Sequence, residues 1–323
     1  MGLAMLIFFV LSAYARCALC FRRGPDERAC VSSCVLWLLV PLLLAQCGQA
    51  PEAYIDQLKS LQESKRVKAA NRLIRFDADE VVPLLIAEAQ SGYIRVRFEV
   101  IGLLGRFKDP RGIPTLINAL DDKSPNVAAR AALGLAQLRA VEALPRLLHY
   151  VRDPSEVTRQ YVLSALGPCH SYELEPALSD SALAAVLDAL RSPKHRWRIA
   201  ALQSLREFGY KDGTESVIRM ARDPSPEVRH VAVQALGQIG SQQHVGDGGP
   251  DPIHPISEGE LDNVLEALIA SLDASELQGV RTKAVRALSV VGDARARKPL
   301  ETLVRTGGEE DQTEAMRALE KLP

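Results

Sequence analysis

The sequence predicts an all-α protein, a right-handed α-solenoid of about eight helix-pair repeats, and two observations carry that prediction. Leucine recurs at a 31-residue spacing as Leu73, Leu104, Leu135 and Leu166, then within the pairs Leu205–Leu236 and Leu288–Leu319. A fixed period in this range marks a solenoid, whose units bury their apolar faces only against neighbours. Around each leucine the apolar positions fall at intervals of three and four, the spacing of a helix and not the alternation of a strand. Breaks in phase of 39 and 52 residues mark insertions of 8 and 21 residues.

The leucine-bearing helix is the second of each unit. Four residues before the leucines stand Ala69, Val100, Ala131, Val162, Ala201, Ala232, Ala284 and Ala315. Three after them come Phe76, Phe107, Leu138, Cys169, Phe208, Ile239, Val291 and Leu322. Small residues in this stripe let neighbouring helices approach, while Leu and Phe supply most of the buried area. Seven residues before the leucines lies an arginine column, Arg66, Arg97, Arg159, Arg198, Arg229 and Arg281, with Ala128 and Gln312 as departures. Six residues earlier still stand Ser60, Ser91, Asp122, Asp153, Ser192, Asp223, Ser275 and Thr306. These small oxygen-bearing residues suit the end of one helix or the cap of the next. The arginines are expected to bond their carboxylates, hydroxyls or turn carbonyls along the stack, a structural role.

The first helix of each unit carries a second apolar stripe, such as Pro83-Leu84-Leu85-Ile86, Pro114-Thr115-Leu116-Ile117 and Pro145-Arg146-Leu147-Leu148. Proline is tolerated near a first turn because its missing N–H would have no intrahelical partner there. Thirty-one residues suit two helices of roughly ten to twelve residues joined by short turns.

Asp-Pro-Ser-Pro-Glu-Val-Arg at 223–229, followed by Ala-Val-Gln-Ala-Leu-Gly at 232–237, resembles a short bacterial HEAT repeat of the type named after phycobilisome lyase subunits. The resemblance covers roughly residues 52–323, with Arg206 and Ser289 departing at the glycine position. It implies the fold strongly and the function weakly, since such repeats serve lyases, adaptors and other proteins.

Residues 1–47 are a different kind of sequence, holding five of the six cysteines and four arginines. The apolar run Val35–Ala45 is 11 residues long, follows a basic stretch and ends in Gln46-Cys47-Gly48-Gln49-Ala50. Such a pattern describes an export signal, whereas a membrane span needs about 20 apolar residues. Leu44-Ala45-Gln46-Cys47 is similar to a bacterial lipoprotein box, which implies lipidation at Cys47 and a place in the cell envelope facing the periplasm. Gln46 departs from the small residue usual there. The alternatives are cleavage after Ala50, giving a soluble secreted or periplasmic protein, and retention of Ala29–Gln46 as an anchor. Two apolar runs exceed what one signal needs, so the expected start codon lies later than Met1, near Leu19. Cys17, Cys20, Cys30 and Cys34 have spacing compatible with a zinc knuckle, set against their reading as small apolar residues of a targeting segment.

Without that leader the chain has 35 basic residues (39 minus 4) and 38 acidic (40 minus 2), a net charge near −3. This balance offers no electrostatic case for nucleic acid. Aromatics at 5% also argue against base-stacking platforms. Only Cys47 and Cys169 would remain, so no disulfide framework is available.

Candidates for chemistry are few. Cys169-His170 is a possible nucleophile or ligand pair, but Cys169 sits in the column of Phe107, Leu138 and Phe208 and reads as a buried hydrophobe. The shorter insertion, near 168–180, is expected to lengthen a loop. The longer, near 240–259, is Gly- and Pro-rich and is expected to project as a loop. Its His244, Asp247, Asp251 and His254 match no metal-ligand spacing, so no metal is assigned. With His170 and Tyr172 they are taken instead as candidate partner-binding residues. Glu309-Glu310 is expected in a turn. The chain has no His-Glu dipeptide, no phosphate-binding glycine loop and no nucleophile elbow. These observations point to a non-enzymatic scaffold in the bacterial envelope that binds a protein partner and needs no cofactor. The competing readings are a lyase-type enzyme or enzyme subunit, and a metal- or ligand-binding protein acting through the longer insertion.

Overall fold

The computed structural model describes residues 50–171, 173, 175–210, 213–241, 257–273 and 275–323. Among them sixteen α-helices follow one another without a strand, so the protein is an α-solenoid. The chain divides into residues 1–53 and 54–323, and the repeats lie in the second unit from Tyr54, within α1, onward. Helices α1 (Pro51–Gln57) and α2 (Glu63–Leu73) make the first pair. The next are α3 (Ala78–Glu88) with α4 (Ile94–Phe107), α5 (Ile113–Ala119) with α6 (Pro125–Leu138), and α7 (Leu144–His149) with α8 (Glu156–Leu166). Then come α9 (Pro176–Ala189) with α10 (His195–Glu207), and α11 (Thr214–Met220) with α12 (Pro226–Ser241). Last are α13 (Glu258–Ala270) with α14 (Gln278–Val291), and α15 (Arg297–Thr306) with α16 (Glu309–Leu319).

The even-numbered helices form a continuous row, each packed on the next from α2 to α16. The reason lies in the periodic columns. All eight small residues from Ala69 to Ala315 are completely buried, as are six of the leucines, with Leu104 nearly so. Leu319, in the terminal pair, is half-buried. Each fully buried leucine contributes on the order of 1.5–3 kcal/mol, so the column is the main apolar seam. Where α4 meets α6 the approach is backbone to backbone: a Cβ added to Gly105 would stand 2.6 Å from the Gly134 Cα. Lys108, Arg139, Gly209 and Gly292, each four residues beyond its leucine, turn left-handed with φ of 54°, 51°, 65° and 72° and so reverse the chain after the helix.

Three expectations need correction. The shorter insertion is loop only as far as Glu175. Pro176 opens α9, because an N1 proline followed by an Ala- and Leu-rich run favours helix, and Ser179 anchors it by accepting the Ser171 N–H at 3.1 Å. The longer insertion is narrower than 240–259, since α12 extends through Gly240 to Ser241. Ser257 and Glu260 form a reciprocal capping box that starts α13 at Glu258. Glu309 and Glu310 lie in the first turn of α16, where carboxylates favour the helix dipole.

Candidate functional site

The turn before each even-numbered helix is built from the oxygen-bearing column, which acts one step earlier than a helix cap. Asp122, Asp153 and Asp223 accept the N–H groups of Ser124, Ser155 and Ser225 at 2.8, 2.8 and 2.9 Å, and Ser60 and Ser192 do the same for Gln62 and Lys194. These are Asx- and Ser-type turns closing the chain two residues on. In the seventh pair Asp273 takes this role from Ser275, whose N–H it accepts at 2.8 Å.

Arginines lock the turns in both directions. Each reaches back to a carbonyl of its own turn: Arg97 to Ser91 at 2.8 Å, Arg159 to Asp153 at 3.0 Å, Arg198 to Ser192 at 2.7 Å and Arg229 to Asp223 at 2.8 Å. Four also reach forward to a carboxylate of the next pair. Arg97 grips Asp122 at 2.6 and 2.9 Å, Arg198 grips Asp223 at 2.8 and 2.7 Å, and Arg229 grips Glu276 at 2.7 and 2.5 Å. Arg281 closes on Asp311 at 2.8 and 3.0 Å. Burial pushes the Asp122 carboxyl up, but Arg97 and the Ser124 N–H outweigh it and hold the group below the usual carboxylate range. Glu276 is held down in the same way by Arg229 and the Leu277 N–H. Gln312, in the last pair, makes the backward reach, donating to the Gly307 carbonyl at 2.9 Å.

For two arginines the next turn carries a serine at the column position where Arg97 and Arg198 find an aspartate, Ser91 for Arg66 and Ser192 for Arg159. Arg159 lies instead over the Trp197 ring, 4.2 Å from its centroid. Arg66 donates to the Ser60 and Leu61 carbonyls at 3.1 Å each, but its Nε is buried without a hydrogen-bond partner, and the nearest carboxylate oxygen, on Glu99, is 3.9 Å away.

Arg66 opens onto a concavity of about 830 Å³ that crosses α2, α4, α6 and α8. Its apolar lining comes from Tyr93, Ile94, Phe98, Leu133, Val157 and Tyr161, of which Tyr93 and Ile94 are 60% and 57% exposed. Its charged lining is Glu63, Arg66, Arg95, Glu99 and Arg130. The Arg130 guanidinium rests 4.4 Å from the Phe98 ring centroid and over Gly102, where any side chain would collide with it.

The residues singled out in the sequence do not gather here. His170 stacks on Phe208 with ring centroids 4.2 Å apart and bonds the Gly167 carbonyl, so it packs within the fold. Cys169 is completely buried, and burial pushes its thiol up to about 12, which keeps it protonated and unreactive. Cys47, Tyr172, His244, Asp247, Asp251 and His254 lie outside the described residues, as do Cys17, Cys20, Cys30 and Cys34. Among the described residues no cluster of His, Cys, Asp or Glu could hold a metal ion, and no helix is long and apolar enough to cross a membrane.

The groove is hidden in the periodic pattern because its apolar residues belong to no repeated column. A signal was nevertheless present. On a helix whose inner stripe is already apolar, the remaining face should be polar. Ile94, Leu133 and Val157 break that rule on three successive even-numbered helices.

Stacked helix pairs with buried small and leucine columns, joined by an arginine–carboxylate ladder, define an α-solenoid of short repeats. The chain belongs to the HEAT-repeat family: the model for HEAT repeats matches residues 82–167, 113–206 and 183–245, overlapping segments that run from 82 to 245. No curated protein matches the sequence. Among solved structures, importin beta is similar at 12% identity and a TM-score of 0.63, over 93% of this chain and 45% of its own. The YibA protein of E. coli is similar at 19% identity and a TM-score of 0.57, over 93% of this chain and 98% of its own. At such identities these likenesses concern the fold. The CpcE–CpcF phycocyanin lyase complex of Nostoc sp. PCC7120 matches at 20% identity over 85% of this chain and 95% of that one, with a TM-score of 0.48.

Proposed function

We propose that this protein is a non-enzymatic interaction scaffold that binds a protein partner in the groove across α2, α4, α6 and α8, and that a lipid on Cys47 tethers it in the bacterial cell envelope. The groove carries the first half of the proposal. A solenoid needs no exposed apolar side chains to fold, yet Tyr93, Ile94, Leu133 and Val157 project from neighbouring helices into one concavity. Contiguous apolar surface of this kind, rimmed by charge, is what a partner covers. The leader pattern before Cys47 supports the second half.

Two experiments separate the halves. Membrane fractionation with intact-mass analysis of the mature chain should find a diacylglycerol-modified N-terminal Cys47, and an unprocessed soluble chain would refute the tether. In-cell photo-crosslinking from p-benzoylphenylalanine at position 133 or 157 should yield discrete adducts. Their absence there, with the chain folded and abundant, would refute partner binding in the groove.

A further inference from the structure

The repeat provides its own template for what the groove lacks. Arg97 and Arg198 each grip a carboxylate 25 residues ahead, on the turn of the next pair. The same register places Ser91 ahead of Arg66, and a serine hydroxyl is too short and neutral to replace that carboxylate. Arg66 therefore carries the backward half of the ladder contact and an unfilled forward edge, with a buried Nε that has no hydrogen-bond partner. An unsatisfied buried donor on a charged group is costly, so the site gains from any acceptor that reaches it.

The surroundings select the sign of that acceptor. The groove itself is lined by Arg66, Arg95 and Arg130 against Glu63 and Glu99, and the one carboxylate near Arg66, Glu99, stands 3.9 Å off its Nε, beyond hydrogen-bond reach. The opposite end of the row is acidic, since α16 has Glu309, Glu310, Asp311 and Glu314 against Arg317. Joining copies end to end would not fill Arg66, because the last pair has Gln312 in the arginine column and its Asp311 is already held by Arg281.

We infer that the groove takes an acidic, apolar-containing peptide segment of a partner protein, one of whose Asp or Glu side chains seats on Arg66 as Asp122 seats on Arg97. The partner's aliphatic or aromatic side chains cover Ile94, Leu133 and Val157, and Arg95 and Arg130 face its remaining negative charge. Glu99, 3.9 Å from the Arg66 Nε, is the anion that the incoming carboxylate displaces. This deepens the scaffold reading and rests on it.

The test is a selection of random 12-residue displayed peptides on the full chain, followed by fluorescence anisotropy of the enriched sequences. Enriched peptides should combine Asp or Glu with Leu, Ile, Phe or Trp and be poor in Lys and Arg. Arg66→Met should weaken them about tenfold or more, the loss expected for a charge-assisted bond. Ser91→Asp is the second variant and leaves Arg66 in place. It should fill the arginine from within the chain, raise the melting temperature and weaken the same peptides as strongly. Glu99→Gln should tighten them, and Lys283→Ala, on distant α14, should leave them unchanged. Basic enriched peptides, affinities indifferent to Arg66→Met and Ser91→Asp, or no enrichment would each overturn the inference. If crosslinks from position 157 persist in the Arg66→Met protein under any of those outcomes, the carboxylate seat fails while the scaffold reading stands. If no crosslinks form at all, the scaffold reading itself fails.

Discussion

Replacing Asp223 with alanine should destabilise the solenoid at one identifiable interface, that between α10 and α12. The Asp223 side chain is 4% exposed and that of Arg198 is 11% exposed, so the pair is buried and not a solvated surface contact. Asp223 accepts two charge-assisted bonds from Arg198 and a third from the Ser225 N–H. Removing the carboxylate leaves the guanidinium buried, with only its bond to the Ser192 carbonyl among these contacts. Truncating one member of a buried ion pair costs about 3–5 kcal/mol, whereas an exposed pair contributes about 0–1 kcal/mol. Urea unfolding should therefore show a loss of about 3–5 kcal/mol for Asp223→Ala. Hydrogen exchange should accelerate in α10 and α12 first, because each repeat is coupled only to its neighbours. Adding Arg198→Met to the same Asp223→Ala variant should recover the part of the loss that comes from the unpaired guanidinium, a favourable coupling. A cost below about 1 kcal/mol with no coupling would show that the ladder is surface decoration, and the reasoning built on it would fall.

Gly105→Ala should destabilise by about 1–3 kcal/mol, since its Cβ would meet the Gly134 backbone and α4 must move off α6; a neutral result in thermal unfolding would show that this approach is looser than described. Cys169 should resist alkylation in the native protein at pH 8 and react only after unfolding, as peptide mass spectrometry can measure; rapid native labelling would contradict its burial and raised pKa. Asp122 and Glu276 have folded pKa values below their unfolded ones, of about 3.9 and about 4.3, so their stabilisation is present above those values and is lost as pH falls through the folded ones. Urea midpoints should thus be unaffected by these two groups from pH 8 to about 5 and decline below about pH 4. Neutralising both, as Asn and Gln, should flatten that acid limb, and an unchanged limb would exclude them as its cause.

The solenoid, most of its helices and the core are legible in the amino-acid pattern alone. A 31-residue leucine column with a small residue four positions earlier can be satisfied only by stacking like helices, and burial depends on that local pattern. It also disclosed why Cys169 is inert, because a residue in the column of Phe107 and Phe208 must face the seam. The extent of the insertions was less legible: Pro176 and the Ser257–Glu260 box extend helices into segments that composition alone marks as loop. Which arginine finds which acid emerges only once the helices are stacked. Arg97 meets Asp122 and Arg229 meets Glu276 across 25 and 47 residues, pairings that depend on how successive turns align in space. The groove belongs to the same class. Tyr93, Leu133 and Val157 are ordinary exposed side chains one at a time, and stacking brings them into one concavity beside Arg66, whose Nε no carboxylate of the chain reaches at hydrogen-bond distance.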